Sequence, residues 1–251
     1  MVGLVSAALS AGLFFLGRQA QQQHGEILLQ PAGTPGRDPF TPSLASATPA
    51  RTAGGADHAA ADGPRTPGNV AVTSHYGNES GLFGGVRKGA ACDPSRLVDF
   101  LSRNQGRGQA WAGALGMAAA DIPRYVKWLT PALLTEDTRV TDHRYHDGRA
   151  VPHQAVLQDG TAVLLDWYGV PRVRCDGGNP LLEPVVVDRP VYSGPQWAGF
   201  EPGRMIVVVP SPQPLRGVVL TDVTTGERFG RPVGGTGPTD RAPAGTAGSS
   251  R

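Results

Sequence analysis

The stretch Thr138–Cys175, TRVTDHRYHDGRAVPHQAVLQDGTAVLLDWYGVPRVRC, decides how this chain is read. Short apolar runs in it are broken by HDG, QDG and YGVP, each carrying a glycine where a tight turn needs positive φ. Runs of that length between such breaks predict consecutive strands joined by hairpins. Downstream, EPVVVDRPVY (183–192) and RMIVVV (204–209) share the β-type composition, and GVVLTDVTTGERFGRPV (217–233) reads as a hairpin turned at Thr225 and Gly226. Six or seven strands are expected between about 138 and 230.

The period is different upstream. In CDPSRLVDFLSRN (92–104), Asp93 suits an N-cap, Pro94 the first turn, and Leu97, Phe100 and Leu101 one face of a helix. RGQAWAGALGM (107–117) continues in kind with Trp111 and Leu115 a turn apart. In AADIPRYVKWL (119–129), Asp121 stands before Ile122, Tyr125, Val126 and Leu129 at helical spacing. The expectation is a helical subdomain over about 93–134 followed by a mostly antiparallel sheet, an α+β domain spanning 69–233. Its roughly 165 residues are enough for a substantial core.

The flanks have another character. Pro and Gly supply 58 of the 251 residues (23 and 35), concentrated in PAGTPGRDPFTPSLASATPARTAGGADHAAADGPRTPG (31–68) and GGTGPTDRAPAGTAGSSR (234–251). With few large apolar side chains to offset ordering entropy, 19–68 is expected to be a disordered linker or stalk and 234–251 a disordered tail. One detail resists this: Ile27, Leu28 and Leu29 form an apolar run with β potential, able to dock as an edge strand or to serve as membrane-proximal filler. At the start, the fifteen residues Val2–Leu16 carry no charge and end at Arg18. As a helix they span about 22 Å, against roughly 30 Å of hydrocarbon. The segment 1–18 is read as a signal-anchor, with the alternative of a cleaved signal and a secreted product; a basic n-region is absent and Arg18 sits where a cleavage site wants a small residue. The folded part then faces outward, where an even cysteine count usually means a bridge.

A net charge of +2 without a basic stripe argues against a nucleic-acid partner. GLFGG (81–85) lacks the Lys-Ser/Thr of a phosphate loop, and no cofactor is indicated. Cys175 admits three readings. As a nucleophile it needs a depressed pKa and a positioned base; Arg172 and Arg174 are near, and His143, His146 or His153 are candidate bases, but on a strand the arginines point away from Cys175. As for a metal, Asp142, His143 and His146 are weak candidate ligands, since a spacing of three puts the two histidines on opposite faces of a strand. As half of a disulfide with Cys92, Cys175 ties the start of the first helix to a strand end. Asp159 and Asp166, a conceivable carboxylate pair, and Trp111, Trp128, Trp167 and Trp197 have plainer roles in turns and in the core or its rim.

The segments GEILLQPAGTPGRDPFTPS (25–43), GLFGG, CDPSRLVDFL (92–101), AWAGALGM (110–117), DIPRYVKWLTPALLTEDTRVT (121–141), DGRAVPHQAVLQDGTAVLLDWYGVPRVRCDGGNPL (147–181) and DVTTGE (222–227) together resemble an uncharacterised family of actinobacterial membrane-anchored envelope proteins. The resemblance implies a bacterial cell-envelope setting and carries over no catalytic residues. The family pattern has a further cysteine where this chain has Gly177, which leaves Cys92 and Cys175 as a simple pair. The reading at this point is a membrane-tethered extracytoplasmic domain that binds an envelope protein or a cell-wall ligand, touching the membrane through residues 2–16. The alternative is an envelope hydrolase or transferase acting near His143, His146 and Cys175.

Overall fold

The computed structural model describes residues 25–46 and 72–242. Among them are thirteen strands: β1 (Glu26–Gln30), β2 (Thr73–Tyr76), β3 (Phe83–Gly85), β4 (Thr130–Leu134), β5 (Thr138–His146), β6 (Arg149–Leu157), β7 (Ala162–Leu165), β8 (Pro171–Arg174), β9 (Asn179–Leu182), β10 (Val191–Ser193), β11 (Ile206–Val209), β12 (Gly217–Asp222) and β13 (Arg228–Pro232). Three short helices, α1 (Pro94–Arg103), α2 (Gln105–Ala114) and α3 (Ile122–Val126), lie between β3 and β4.

The strands form a single mixed sheet in the order β10-β1-β6-β5-β9-β8-β7-β4-β3-β12-β13, with β11 joined to β5 and β2 joined to β11. This overturns the expected α+β arrangement of a helical subdomain followed by a mostly antiparallel sheet. The helices are too short to form a layer of their own, and PALL, expected near the end of the helical part, is strand β4. Five pairings are parallel: β1 with β10, β1 with β6, β2 with β11, β5 with β11, and β3 with β12. Parallel neighbours are far apart in sequence, so no local turn signal announces them.

The centre of the sheet follows from the local chemistry. β5 and β6 pair from Thr138↔Leu157 to His146↔Arg149, and Asp147 and Gly148 both have positive φ (48° and 77°), the two-residue turn that matches strand twist. Every residue of β4 and β7 is buried. Along β7, Ala162 and Leu164 join Leu97, Leu101 and Trp111 on the helical side, whereas Val163 and Leu165 join Phe83, Leu220 and Phe229 on the other. A strand covered on both faces reads as continuously apolar rather than alternating. Of the run 183–192, only its end enters a strand, β10, while Val185 and Val186 are exposed.

Two boundaries move. Residues 25–46, expected within the linker of 19–68, belong to the fold. β1 lies inside the sheet between β10 and β6, with Ile27 and Leu29 buried against Val156, Phe200 and Met205. The following arm, 31–46, crosses the ends of β8 and β9. The described part of the expected tail, 234–242, also docks: Arg231, fully buried, pairs with Asp240 at 2.7 Å and donates to the carbonyls of Pro131, Val86 and Gly89. No helix among the described residues is long and apolar enough to cross a membrane, and the expected membrane segment, Val2–Leu16, lies outside the described residues.

Cys92 and Cys175 are joined by a disulfide, with Cα atoms 6.0 Å apart and a sequence separation of 83. The arm runs beside it. Leu44 N–H donates to the Cys175 carbonyl, Asp93 N–H donates to the Leu44 carbonyl, and Ala45 bridges Cys92. The bond thus fixes the start of α1 to the end of β8 with the arm alongside both.

Candidate functional site

The residues singled out in sequence gather where β5, β6, β9, the arm and α2 meet, but they divide between the two faces of β5. Register pairs Asp142 with His153 and His143 with Pro152, so Asp142 and His143 point opposite ways.

On the first face Asp142 is fully buried and accepts a hydrogen bond from Asn179 Nδ2 at 3.0 Å. Arg174 Nε lies 3.0 Å from Asp142 Oδ2, close enough for an ion pair but poorly aligned for a hydrogen bond. The same guanidinium donates to the carbonyls of Thr34 and Pro35, and Asp176 accepts from Gly33 N–H, so the charges on β5, β8 and the following turn hold the arm. Burial pushes the Asp176 carboxyl up, opposed by Arg174. His153 Nε2 is 3.8 Å from Asp142 Oδ2, and burial lowers its pKa against the pull of that carboxylate. Asp142, Arg174, Asp176 and Asn179 are enclosed and hold one another and the arm, which makes the cluster a structural clamp, with His153 beside it.

The second face opens to solvent. His143 is buried to all but 5 % of its surface, and its Nδ1 lies 3.0 Å from the Pro180 carbonyl. A carbonyl can only accept, so Nδ1 carries the proton. Burial lowers the His143 pKa and keeps the ring neutral at pH 7, which leaves Nε2 as a lone-pair acceptor. His143 forms part of the wall of a shallow cleft of about 320 Å³, together with Ala110, Gly113 and Ala114 of α2 and Gly148, Arg149, Ala150 and Pro152 of the hairpin. Ala110, Gly113 and Ala114 share one helix face by their spacing and present at most a methyl group. Earlier along α2, Arg107 stacks on the Tyr145 ring at 4.2 Å and donates to the Pro39 and Phe40 carbonyls, anchoring the arm to α2.

The expected chemistry does not assemble. His146 is exposed at the hairpin end beside Asp38 (3.2 Å) and Asp147 (3.4 Å), on the Asp142 side of β5 but four residues further along the strand. Asp142, His143 and His146 therefore do not converge, and no group of three or more His, Cys, Asp or Glu residues able to hold a metal ion occurs among the described residues. Cys175 is fully buried and disulfide-bonded, so it offers no thiolate to a substrate. Asp166 accepts from the Tyr168 and Val170 N–H groups and from Arg172 Nε at 2.8 Å, which occupies it in shaping its own turn. Trp111 is fully buried and donates to the Gly178 carbonyl; Trp197 donates to Asp137; Trp167 packs edge-on against Tyr125. Trp128 stands exposed.

Sequence reasoning missed Arg149 and the small-residue wall of α2. The spacing of Ala110, Gly113 and Ala114 was the available signal, but a face of small residues gains meaning only with something opposite it.

No curated protein and no solved structure matches the chain. The family defined by a domain of unknown function, DUF6777, matches residues 73–234, which is more than half of the 251. That span contains both cysteines and the whole cleft, whereas β1 and the arm precede it. The chain belongs to the DUF6777 family.

Proposed function

We propose that the protein is an extracytoplasmic binding domain of the bacterial cell envelope, tethered through residues 2–16, and that its ligand sits in the cleft between α2 and the β5–β6 hairpin. The observation that carries this reading is His143: a neutral, tautomer-fixed imidazole that forms part of the wall of an open cleft bordered largely by small residues. Setting a histidine ring so firmly while leaving one nitrogen uncommitted suits recognition of a ligand donor. The disulfide supports the location, because such bonds persist in oxidising compartments.

Two measurements test the reading. Nitrogen-15 NMR of the protein titrated with solubilised cell-wall fragments should move the amides of Gly113, Gly148, Arg149 and Ala150; shifts confined to other surfaces contradict the cleft as the site. A membrane-impermeant amine reagent applied to intact cells should label the exposed Lys88 and Lys127, which are the chain's two lysines. Labelling only after lysis rules out the extracytoplasmic location.

A further inference from the structure

We propose that Arg139, beneath the crossover 183–190, is the receptor for a carboxylate group; this goes beyond the binding-domain reading above and does not rest on it.

The register places the parts. Arg139 pairs with Val156 and Val156 with Leu29, and two residues back along β1 Ile27 pairs with Tyr192, so all five side chains stand on one face of the sheet. From β9 the chain passes over that face on its way to β10. Thr141 Oγ1 donates to the Glu183 carbonyl, Val185 N–H donates to Gln154 Oε1, and Arg139 Nη2 reaches the Val185 carbonyl. Val185 and Val186 are exposed, so these polar contacts rather than apolar packing hold this part of the crossover over the arginine.

Arg139 is a charge without a counter-charge. It is exposed over only 7 % of its surface and forms no ion pair among the described residues. Of its five N–H donors, only those of Nη2 are engaged, and with neutral acceptors: Gln154 Oε1 at 3.2 Å and the Val185 carbonyl at 3.3 Å. Nε is enclosed with no acceptor, and so is the hydroxyl of Tyr192. Nη1 has no hydrogen-bond partner among the described residues and is not enclosed, so solvent reaches the guanidinium there. Burial lowers the Arg139 pKa and raises that of Tyr192, and the ionisable group that acts on each is the other.

Unspent donors around an uncancelled positive charge select an anion, and a planar guanidinium matches an oxyanion with two oxygens. The surroundings choose between the common ones. Val156, opposite Arg139, belongs to the apolar cluster of Ile27, Leu29, Phe200 and Met205, with Val187 and Tyr192 packed against it. A doubly charged phosphate loses more hydration at such a border than a singly charged carboxylate, which favours the carboxylate.

The test is titration of the full-length protein with sodium acetate, and separately with sodium chloride and sodium phosphate at matched ionic strength. The readouts are the Arg139 Nε–H signal in nitrogen-15 spectra and the unfolding temperature. Acetate is expected to shift that signal saturably and to raise the unfolding temperature, with chloride and phosphate at least about tenfold weaker. Arg139→Lys keeps the charge but not the fork, and should weaken acetate binding by a similar factor. Arg139→Met should abolish the acetate effect while leaving the unfolding temperature in acetate-free buffer unchanged or higher, because it removes a buried charge that has no partner. Chloride or phosphate binding as well as acetate overturns the carboxylate assignment. No response at Arg139 to any of the three, or a lower unfolding temperature of Arg139→Met without acetate, overturns the site and makes the arginine a structural hold on the crossover.

Discussion

Arg174 Nε and Asp142 Oδ2 stand 3.0 Å apart in a part of the fold where both side chains are closed to water. The pair joins β5 to β8, and the other nitrogens of the same guanidinium hold the arm at Thr34 and Pro35. Removing one partner strands a buried charge, which costs about 3–5 kcal/mol. Arg174→Met should therefore destabilise by that order in urea unfolding, and the double variant with Asp142→Asn should lose clearly less than the sum of the two single changes. Additive losses would mean that the two charges do not interact.

The Cys92–Cys175 bond closes a long loop and should stabilise by about 4–5 kcal/mol in the chain-entropy description. Replacing both cysteines with alanine should lower stability by that order. Amide exchange should accelerate at Leu44, Ser46 and Asp93, whose N–H groups donate across the arm and its two neighbours, before it accelerates within β5. Uniform acceleration over the whole sheet contradicts a local role for the bond in seating the arm.

Ile27 distinguishes an integral strand from a linker. It is fully buried within β1, so Ile27→Ala should cost about 2–5 kcal/mol. An unchanged denaturation midpoint would place residues 25–46 outside the cooperative unit.

Acid should weaken the fold in a defined window. Burial lowers the pKa of His143 and of His153, so the unfolded chain binds protons at a higher pH than the folded one. Stability is then complete above the ordinary histidine value of about 6.5 and falls as pH drops from there toward the depressed folded values. Around His153 the charges of Asp142, Arg174 and Arg144 partly oppose one another, and the Asp142 carboxylate reduces the effect. Asp137 and Asp176, raised by burial, act in the opposite sense: they add stability as pH falls through their folded values. Urea midpoints at pH 7 and pH 5.5 should differ, and His153→Gln should flatten the difference. A pH-independent midpoint over that range contradicts neutral burial of the two rings.

Local chemistry made part of this fold readable. The β5–β6 hairpin was visible because Asp147-Gly148 can take only a few turn geometries and its flanking runs are short. The start of α1 was visible because Asp93, which accepts from Ser95 and Arg96, and Pro94 have positional meaning by themselves. The cysteine pair followed from there being two. The rest depends on distant partners. Nothing near β1, β2 or β11 in sequence specifies the parallel neighbour of each, and β4 hides its strand character because both its faces are covered. The arm looks unfoldable by composition, since much of its order comes from its backbone, whose carbonyls accept from Arg107 and Arg174 and whose N–H groups donate to Asp176 and Asn179, with Phe40 and Leu44 its few apolar anchors in the core. Of the candidate residues, His143 belongs to the cleft and Asp142 to the clamp, and adjacency in sequence concealed that they face opposite ways.

The state of the His143 ring bears most directly on the proposed site. Long-range nitrogen-15 correlation spectra should show a proton on Nδ1, a bare Nε2, and a titration midpoint below 6.5, with Nε2 shifting when a ligand enters the cleft. A ring protonated on Nε2, or one that titrates at or above the ordinary value, would contradict a neutral acceptor poised for a ligand.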